Sequence, residues 1–408
     1  MAESTPRVTQ GPDPALLEEE YGVRNYDPLP VVLSRGEGVW VEDIDGNRYF
    51  DALSAYSALN FGHRHPRLVA AAREQLDRLT LTSRAFRNDK LGEFCRRLAE
   101  ISGKDRVLPM NTGAEAVETS IKAARKWGYE SKGIAPDQAK IVVCRGNFHG
   151  RTTTIVSFSD DEDARSHFGP YTPGFESIPY GDLAALEAAL DGDTVAFLVE
   201  PIQGEAGVII PPDGYITGAQ ELCSQANVLL IADEIQSGLG RTGRMFACDH
   251  EDVSPDLLLL GKALGGGILP ISAVAGSDEV LGLFRPGQHG STFGGNPLAC
   301  AVALEVFELL ADGSLERRAT ELGARFVDSV RAAGHPAVAD IRQRGLWIGL
   351  DIDEDAAIAR AVCKQMMAAG VLAKEAHQHT IRLAPPLTTT DDEFEWMLER
   401  VGPVLAGI

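Results

Sequence analysis

Two stretches of the sequence share one pattern: VLLIADEIQ (228–236) and LLLLGKALGGG (257–267). Each begins with an uninterrupted apolar run and then turns polar, at Asp233 in the first stretch and at Lys262 in the second. A short, wholly apolar run is typical of a strand that is buried on both faces, as in a parallel sheet. An aspartate and a lysine directly after such strands are poorly hydrated, so each needs a chemical partner.

Similar apolar runs alternate with amphipathic stretches from about residue 105 onward, which predicts an α/β domain with a largely parallel sheet. The predicted strands are Arg106–Leu108, Ile141–Cys144, Val195–Glu200, Val228–Asp233, Leu257–Leu260 and Ile271–Ala275, and the helical stretches between them include Ala114–Trp127, Leu183–Leu190 and Gly218–Ala226.

The two ends of the chain follow a different pattern. Residues 39–53 read as a hairpin around Asp45-Gly46, and the C-terminal part mixes helical stretches with short strands. The helical stretches are Leu315–Ala332 and Ala356–Ala369, and the strands are Leu346–Asp351 and Thr380–Leu383. We therefore predict three parts: residues 1–56, which join the smaller domain and cover the active site, a large domain over 57–313, and a smaller α+β domain over 314–408.

Composition excludes some partners. The chain has 408 residues, and 38 basic against 59 acidic side chains give a formal charge of 38 − 59 = −21. Nucleic acids and anionic membranes both require a basic surface, so neither is expected as a partner. The six cysteines lie far apart, a pattern typical of a reduced, cytoplasmic protein rather than of a disulfide framework.

Polar residues that could act together follow several of the strands. Thr112 and Glu115 fit a capping box, and Gly113 lets a ligand approach the amides of a helix start, which is a natural phosphate cradle. Phe148 and Arg151 could stack on a ring and hold a carboxylate. Each motif alone is compatible with an ordinary structural role, as are Glu200 and Glu205 after the next strand.

Taken together, these groups are the set that pyridoxal-phosphate chemistry requires. A lysine binds the cofactor, an acid pairs with the pyridine nitrogen, an anion cradle holds the phosphate, and an aromatic face lies against the ring. These functions can be supplied, in the same order, by Lys262, Asp233, Gly113 and Phe148. All four residues follow strands, and the carboxyl ends of parallel strands meet at one edge of the sheet.

Two other motifs suggest different functions. GLGRTG (238–243) matches a dinucleotide-binding pattern, but it does not open a helix directly after the strand, as that fingerprint requires. The pairs His63-x-His65 and His377-x-His379 are not accompanied by the carboxylate or cysteine ligands that a zinc site requires, so no metal is expected. A nicotinamide-dependent oxidoreductase and a non-catalytic binding homologue remain the alternatives from other classes.

With these residues identified, the chain resembles the class III, fold-type I pyridoxal-phosphate aminotransferases, and within them the ornithine aminotransferases. The resemblance runs from about residue 20 to the C-terminus. The segments that carry it are 25–46, 79–89 (LTLTSRAFRND), 124–129, 199–207 (VEPIQGEAG), 231–244 (IADEIQSGLGRTGR), 259–267, 289–298 (HGSTFGGNPL) and 381–387 (IRLAPPL).

The resemblance implies a role for each matching residue toward the cofactor. Lys262 would hold pyridoxal 5′-phosphate covalently and then move the proton, and Asp233 would pair with the pyridine nitrogen. The other cofactor contacts would come from Phe148 on the ring, Gln236 at the phenolic oxygen, and the backbone amides of Gly113 and Ala114 at the phosphate. Thr292 would reach the phosphate in the neighbouring subunit, which implies a homodimer with shared active sites.

The resemblance also implies how the substrates L-ornithine, glutamate and 2-oxoglutarate bind. Tyr26 and Arg151 would hold the α-carboxylate of ornithine, with Tyr56 lining the pocket. Arg382 would bind the α-carboxylate of glutamate or 2-oxoglutarate, and Glu205 would cover it during the ornithine half-reaction. His149 replaces the tryptophan of animal members. Acetylornithine and 4-aminobutyrate aminotransferases share the core motifs and remain alternatives.

Overall fold

The computed structural model describes residues 13–408. The strands are β1 Leu33–Glu37, β2 Trp40–Asp43, β3 Arg48–Asp51, β4 Arg106–Met110, β5 Lys140–Cys144, β6 Phe175–Ile178, β7 Thr194–Val199, β8 Leu229–Asp233, β9 Leu257–Leu260, β10 Ser272–Gly276, β11 Val338–Arg344, β12 Trp347–Ile352, β13 Val371–Leu372, β14 Lys374–Ala376 and β15 Thr380–Leu383.

The α-helices are α1 Pro14–Tyr21, α2 Pro66–Leu76, α3 Leu91–Ser102, α4 Gly113–Trp127, α5 Glu162–Arg165, α6 Leu183–Ala189, α7 Tyr215–Gln225, α8 Asp278–Leu281, α9 Pro297–Leu310, α10 Ser314–Ala333, α11 Ala359–Ala368 and α12 Asp391–Ala406. Short 3₁₀ segments cover Ile155–Phe158, Ala247–His250 and Lys262–Gly265, and a π segment covers Gly128–Lys132. None of the helices within residues 13–408 combines the length and the apolar character needed to cross a bilayer.

A seven-stranded sheet forms the centre of the molecule, in the order β4-β10-β9-β8-β7-β5-β6. Strand β10 is antiparallel to both of its neighbours, and the other strands run in one direction. The α/β fold predicted from the sequence is confirmed, and each of the six predicted strands is present. Edge strand β6 was not predicted, because its exposed Glu176 and Ser177 interrupt the apolar pattern.

Burial on both faces explains the uninterrupted apolar runs of the central strands. In β9, Leu257 and Leu259 belong to a core cluster with residues of α4, whereas Leu258 and Leu260 belong to a second cluster with residues of α9. Because the side chains of a strand alternate between faces, a sheet covered by helices on both sides requires an apolar residue at every position.

A second, smaller core joins the two ends of the chain. Val39 and Phe50 of the N-terminal hairpin region pack with residues of α10, α11 and α12. Two four-stranded sheets lie in this part, in the orders β1-β2-β3-β13 and β11-β12-β15-β14. Helix α10 begins at Ser314, next to the predicted boundary. The division at 56 and 313 stays a prediction, and its residues 1–12 lie outside the described part.

Candidate active site

Lys262 follows β9 at the carboxyl edge of the central sheet and is partly buried. Its φ of 43° lies in the left-handed region, which is costly for a residue with a side chain and is most often found at functional sites. Burial lowers the pKa of the Lys262 amine to about 8, and the nearby carboxylates of Glu205 and Asp233 only partly oppose this effect. About a tenth of the amine is therefore neutral, and so nucleophilic, at pH 7, which is far more than for an ordinary lysine.

Asp233 ends the neighbouring strand β8 and is buried. Its Oδ2 lies 2.7 Å from His149 Nδ1, and its Oδ1 accepts a hydrogen bond from the backbone N–H of Ile235 at 3.1 Å. The side chain of Ile235 also lies against Gly113 and Gly261, where an added Cβ would come within 3.2 Å of it or less. These contacts bring the loops after β4, β8 and β9 together around one point.

Glu200 is a buried carboxyl that joins two loops. Its Oε2 accepts a hydrogen bond from the backbone N–H of Phe148 at 2.9 Å, and its Oε1 accepts one from the N–H of Gly204 at 3.3 Å. Burial raises the pKa of the Glu200 carboxyl to about 7, although His149 lowers it. Gly204 has no room for a side chain, because Gln236 and Trp347 lie against it.

The start of α4 is a candidate phosphate cradle. The predicted capping box is confirmed: Thr112 Oγ1 accepts from the N–H of Glu115 at 3.2 Å, and the Glu115 carboxylate accepts from the N–H of Thr112 at 2.8 Å. Gly113 and Ala114 are the first two helical residues, so their N–H groups have no acceptor within the helix. Free amides at the positive end of a helix bind anions.

Arg382 and Glu205 form a partly enclosed ion pair. Arg382 Nη1 lies 2.6 Å from Glu205 Oε1, and the exposed fractions of the two side chains are 5% and 29%. Burial alone would raise the pKa of the Glu205 carboxyl, but Arg382 holds it below its usual value. The guanidinium also lies 4.9 Å from the centre of the Tyr56 ring. Within residues 13–408, Arg382 Nε is buried without a hydrogen-bond partner, so this side chain can still receive a carboxylate.

The remaining predicted residues lie around this pair or at the surface. The guanidinium of Arg151 is 5.6 Å from the centre of the Phe148 ring, and its side chain is exposed. Tyr26 is 75% exposed, and Thr292 is also exposed in the single chain. The structure thus brings Tyr56, Glu205 and Arg382 into direct contact, whereas Tyr26 and Thr292 touch none of these three side chains through a hydrogen bond or ion pair.

The alternative dinucleotide motif is not a nucleotide site. Residues 238–243 form turns in which the N–H of Leu239 bonds to the carbonyl of Met245, and a 3₁₀ segment at Ala247–His250 follows instead of an α-helix. The Arg241 side chain points into the protein and donates to the carbonyls of Leu346 and Pro385. This segment connects the two cores.

Comparison with known proteins identifies the class. The sequence model of the family Aminotransferase class-III matches residues 21–405. With a match over nearly the whole chain, and with a partly buried lysine and a buried aspartate at the ends of adjacent strands, the protein belongs to the class-III aminotransferases.

The more specific similarities are to ornithine aminotransferases. The chain is 55% identical over 392 residues to an ornithine aminotransferase of Geobacillus sp. (strain WCH70), covering 96% of this chain and 98% of that protein. The crystal structure of the ornithine aminotransferase of Toxoplasma gondii ME49 superposes with a TM-score of 0.95 at 50% identity, covering 96% and 94% of the two chains. An acetylornithine aminotransferase of Elizabethkingia anophelis reaches a TM-score of 0.88 at 47% identity, covering 97% and 98%.

Class-III aminotransferases depend on pyridoxal 5′-phosphate, and the residues present here fit that cofactor. Lys262 supplies an amine with a lowered pKa, and Asp233 supplies a buried carboxylate at the end of the adjacent strand. The free amides of Gly113 and Ala114 suit a phosphate, and a side chain at position 113 would crowd Ile235. Phe148 and Gln236 belong to the same cluster of loops, through Glu200 and Gly204.

Three residues of the site were missing from the predicted set. Ile235 links the loops after β4 and β9, His149 binds Asp233, and Glu200 holds the loop that carries Phe148. Glu200 could have been predicted from the sequence, because an acidic residue at the end of a wholly apolar run needs a hydrogen-bond partner. His149 stands out in the glycine-flanked run with Phe148 and Arg151, but nothing in that run indicates Asp233 as its partner. Ile235 had no signal, because an isoleucine after a glutamate is common in any protein.

Proposed function

We propose that the protein transfers the δ-amino group of L-ornithine to 2-oxoglutarate. The products are glutamate and glutamate 5-semialdehyde, which cyclises to pyrroline-5-carboxylate. The observation that carries this proposal is the ion pair of Glu205 with Arg382 beside Tyr56. It is supported by the 55% identity with an ornithine aminotransferase.

The ion pair matters because one site must accept two different amino acids. Ornithine reacts through its δ-amine, whereas glutamate reacts through an α-amine that lies next to a carboxylate. An unpaired Arg382 would bind the α-carboxylate of ornithine near the reacting carbon and so favour the wrong amine. Glu205 neutralises Arg382 in the first half-reaction, and the α-carboxylate of glutamate displaces Glu205 in the second.

The other residues of the chain hold the cofactor and move the proton. When bound, pyridoxal phosphate supplies a carbonyl that takes up an amine and a protonated ring that stabilises negative charge on the neighbouring carbon. The amides of Gly113 and Ala114 bind its phosphate, and Asp233 provides the anion for the pyridine nitrogen. Lys262 Nζ would hold the cofactor and, once free, would be the base that takes the proton from the reacting substrate carbon.

Ornithine itself is held at its far end. In this proposal Arg151 forms a bidentate contact with the α-carboxylate, and Tyr26 closes over it from the N-terminal segment. That segment is anchored next to Tyr26, since Arg360 donates to the carbonyl of Asp27 at 3.0 Å and to that of Pro28 at 2.9 Å.

A panel of amine donors with 2-oxoglutarate as acceptor tests the proposal. L-ornithine, N-acetylornithine, 4-aminobutyrate and L-lysine are compared at equal concentration, and kcat/KM is measured from glutamate formation. o-Aminobenzaldehyde reports pyrroline-5-carboxylate directly. We expect ornithine to have the highest kcat/KM and to give that product. A higher value for another donor would overturn the substrate assignment but leave the class unchanged.

N-acetylornithine is the second candidate donor. The observation in its favour is the structural similarity to an acetylornithine aminotransferase, with a TM-score of 0.88 at 47% identity. Because acetylation removes the charge of the α-amine, this donor leaves the far end of the pocket with only a carboxylate to bind. The same panel of donors distinguishes N-acetylornithine from ornithine by their kcat/KM values.

We further propose a homodimer with shared active sites in the cytoplasm. Phe293, next to Thr292, is 56% exposed in the single chain, and Phe86 and Leu79 are 74% and 42% exposed. These segments meet, since Asn88 Nδ2 donates to the carbonyl of Gly295 at 3.2 Å. An apolar surface of this kind suits a subunit interface. All six cysteines are unpaired, which suits a reducing compartment.

A further inference from the structure

Arg342, Gly349 and Arg382 form one row across a sheet of the smaller domain. Arg342 of β11 lies opposite Gly349 of β12, and Gly349 in turn lies opposite Arg382 of β15. Directly opposed residues of neighbouring antiparallel strands point to the same face of a sheet. Two arginine side chains therefore stand on either side of a position that has no side chain.

The loop that carries Glu205 lies in this gap. A Cβ at Gly349 would come within 2.4 Å of the carbonyl oxygen of Gly207, so the loop can approach the sheet only because residue 349 is glycine. Arg342 donates to that carbonyl from Nε at 3.2 Å and from Nη2 at 3.0 Å. On the other side of the gap, Arg382 pairs with the carboxylate of Glu205, two residues earlier in the same loop. Each arginine of the row thus holds one part of the loop.

Arg342 is itself held by residues of the same sheet. Its Nη2 donates to Asp351 Oδ1 at 2.7 Å, and its Nη1 donates to Asp340 Oδ2 at 3.0 Å. Asp351 Oδ1 also accepts a hydrogen bond from Thr380 Oγ1 at 2.6 Å, and Thr380 lies two residues before Arg382 on β15. Arg342 and Arg382 therefore share one support, against which the position of the loop is fixed.

The backbone of the loop needs such a support. Gly207 has a φ of 113° and Val208 a φ of 57°, and a positive φ is costly for a β-branched residue. The loop is closed at its base, where Gln203 and Ile209 exchange backbone hydrogen bonds of 3.0 and 2.9 Å. Between these two residues, the grip of Arg342 on the Gly207 carbonyl opposes relaxation of the strained backbone.

We propose that Arg342 is a positioning residue for the choice of amino donor, because its hold on the Gly207 carbonyl keeps Glu205 against Arg382. A carboxylate on an anchored loop loses little conformational freedom when it pairs, so Arg382 stays neutralised until an α-carboxylate displaces Glu205. Without Arg342 the loop leaves the gap, and Arg382 binds the α-carboxylate of a donor that must react through its distal amine. The inference rests on the proposed role of the pair of Glu205 with Arg382.

The test is the ratio of two single-turnover rates, amine transfer from ornithine divided by amine transfer from glutamate. In Arg342→Met this ratio should fall by about threefold to tenfold, because two hydrogen bonds from a charged donor to the loop are lost. Arg342→Lys keeps a charged donor for the Gly207 carbonyl and should recover part of the ratio. A residue that only supports the fold would lower both rates together and leave their ratio unchanged.

A double-mutant cycle shows whether Arg342 acts through Glu205. In the Glu205→Ala background, Arg342→Met should not change the ratio further, because the group that Arg342 positions is already absent. Arg325→Met is the matched control, since Arg325 of α10 also pairs with two acidic residues of the smaller domain, Asp391 and Glu395 of α12. It should keep the wild-type ratio.

Hydrogen exchange reports the loop without any donor. The N–H groups of Gly207 and Val208 bond to the carbonyl of Gly204 at 3.1 and 3.3 Å, and their exchange in the holoenzyme should be faster in Arg342→Met than in wild type. Should that variant fail to fold, Asp351→Asn removes the charge that orients Arg342. It should change the ratio and the exchange rate in the same directions.

An unchanged ratio or an unchanged exchange rate would overturn the proposal, as would a further fall of the ratio in the Glu205→Ala background. If Glu205→Ala itself leaves the ratio unchanged, the proposed basis of donor choice fails and the role of Arg342 fails with it. If the panel of donors favours N-acetylornithine, only the substrate assignment is lost. The same cycle with that donor then decides the role of Arg342.

Discussion

Lys262 combines an unfavourable backbone conformation with an unfavourable charge state. Its φ of 43° and its burial both cost free energy, and a residue without a function would have no reason to retain either. The same burial that destabilises the apo-protein makes the amine a better nucleophile and base. Stability and function therefore oppose each other at this residue.

The first prediction concerns how the free-energy cost of burying the charged Lys262 amine depends on pH. The pKa of Lys262 is about 8 in the folded protein and 10.5 in a model peptide. The unfolded chain therefore binds more protons between these values, and the stability contributed by this residue rises with pH. Below pH 8 the full cost of the buried charge is present. We expect apo Lys262→Met to be more stable than apo wild type by about 2 kcal/mol at pH 7, and the difference to shrink toward pH 10.5.

Urea denaturation of the two apo-proteins at several pH values measures this difference. Lys364→Met, at an exposed position on α11, is the control and should follow wild type throughout. The holo form of Lys262→Met should also lose at least about three orders of magnitude in transamination rate. Near-normal turnover in that variant would remove Lys262 from the mechanism.

The second prediction at this scale concerns Glu205. Glu205→Ala frees Arg382 to bind the α-carboxylate of ornithine, so δ-amine transfer should slow by about tenfold or more while the glutamate half-reaction is preserved or faster. Single-turnover rates of the two half-reactions, followed by the absorbance change of the cofactor, give the ratio. Glu205→Gln, which keeps the size but not the charge, should behave like the Ala variant. An equal fall in both rates would mean that Glu205 only supports the loop.

At the scale of elements, Tyr56 is presented by an unusual turn. All four residues from Ser54 to Ser57 have positive φ, between 46° and 68°, and none of them is glycine. Left-handed residues with side chains cost about 1–2 kcal/mol each, so the surrounding contacts must hold this turn in place. One such contact is the carboxylate of Asp51, which accepts from the N–H of Ser54 at 2.8 Å.

The turn provides the third prediction. Ala55 is exposed, so a larger side chain there changes the backbone preference without disturbing the core. Ala55→Val should lower the free energy of unfolding by about 1–2 kcal/mol and raise KM for ornithine, because a β-branched residue resists φ of 46°. Ala55→Gly should preserve both values or improve stability. Ala58→Val, at φ of −79°, is the matched control. Equal effects at positions 55 and 58 would exclude backbone strain as the cause.

The fourth prediction concerns the segment 238–243, which connects the two cores through Arg241. The guanidinium is fully buried and donates to the carbonyls of Leu346 at 2.9 Å and Pro385 at 2.7 Å, and to Asn60 Oδ1 at 2.6 Å. Pro385 lies three residues after Arg382, so Arg241 also fixes the strand end that carries the substrate-binding arginine. Arg241→Met leaves three buried acceptors without donors and should lower the free energy of unfolding by about 3 kcal/mol.

Guanidinium chloride denaturation measures the stability of Arg241→Met, and KM for 2-oxoglutarate reports the position of Arg382. In this variant the free energy of unfolding should fall and KM for 2-oxoglutarate should rise. The neighbouring Arg244 is exposed, and Arg244→Met should change neither quantity. A loss of stability with an unchanged KM would show that Arg241 joins the two cores without positioning Arg382.

At the scale of the whole molecule, the exposed apolar patch of Leu79, Phe86 and Phe293 provides the fifth prediction. If this patch is the subunit interface, Phe293→Asp places a charge in it and should convert the dimer to a monomer, as measured by light scattering. The monomer should also bind pyridoxal phosphate more weakly, since Thr292 no longer reaches the partner's site. Phe168→Asp, at a residue that is 59% exposed elsewhere, should remain dimeric. A dimeric Phe293→Asp would place the interface on another surface.

The central sheet and the two residues at its edge follow from the amino-acid pattern alone. Complete burial on both faces makes Val195–Val199, Leu229–Ala232 and Leu257–Leu260 uninterrupted apolar runs, so the strands and the polar residues that end or follow them can be read directly. The capping box at Thr112 is equally local, because its two partners are three residues apart. The resemblance supplied the remaining site residues, including the pairing of Glu205 with Arg382.

The contacts among these residues, and the distant residues that support them, follow from the packed fold and not from any local pattern. His149 meets Asp233 across 84 positions, and Arg241 meets Asn60 across 181 positions, so no local pattern records either contact. The left-handed turn at Ser54–Ser57, which includes Tyr56, also contains no glycine from which it could be predicted. Local propensities determine helices and strands, whereas hydrogen bonds between loops depend on where the packed core places the ends of those elements.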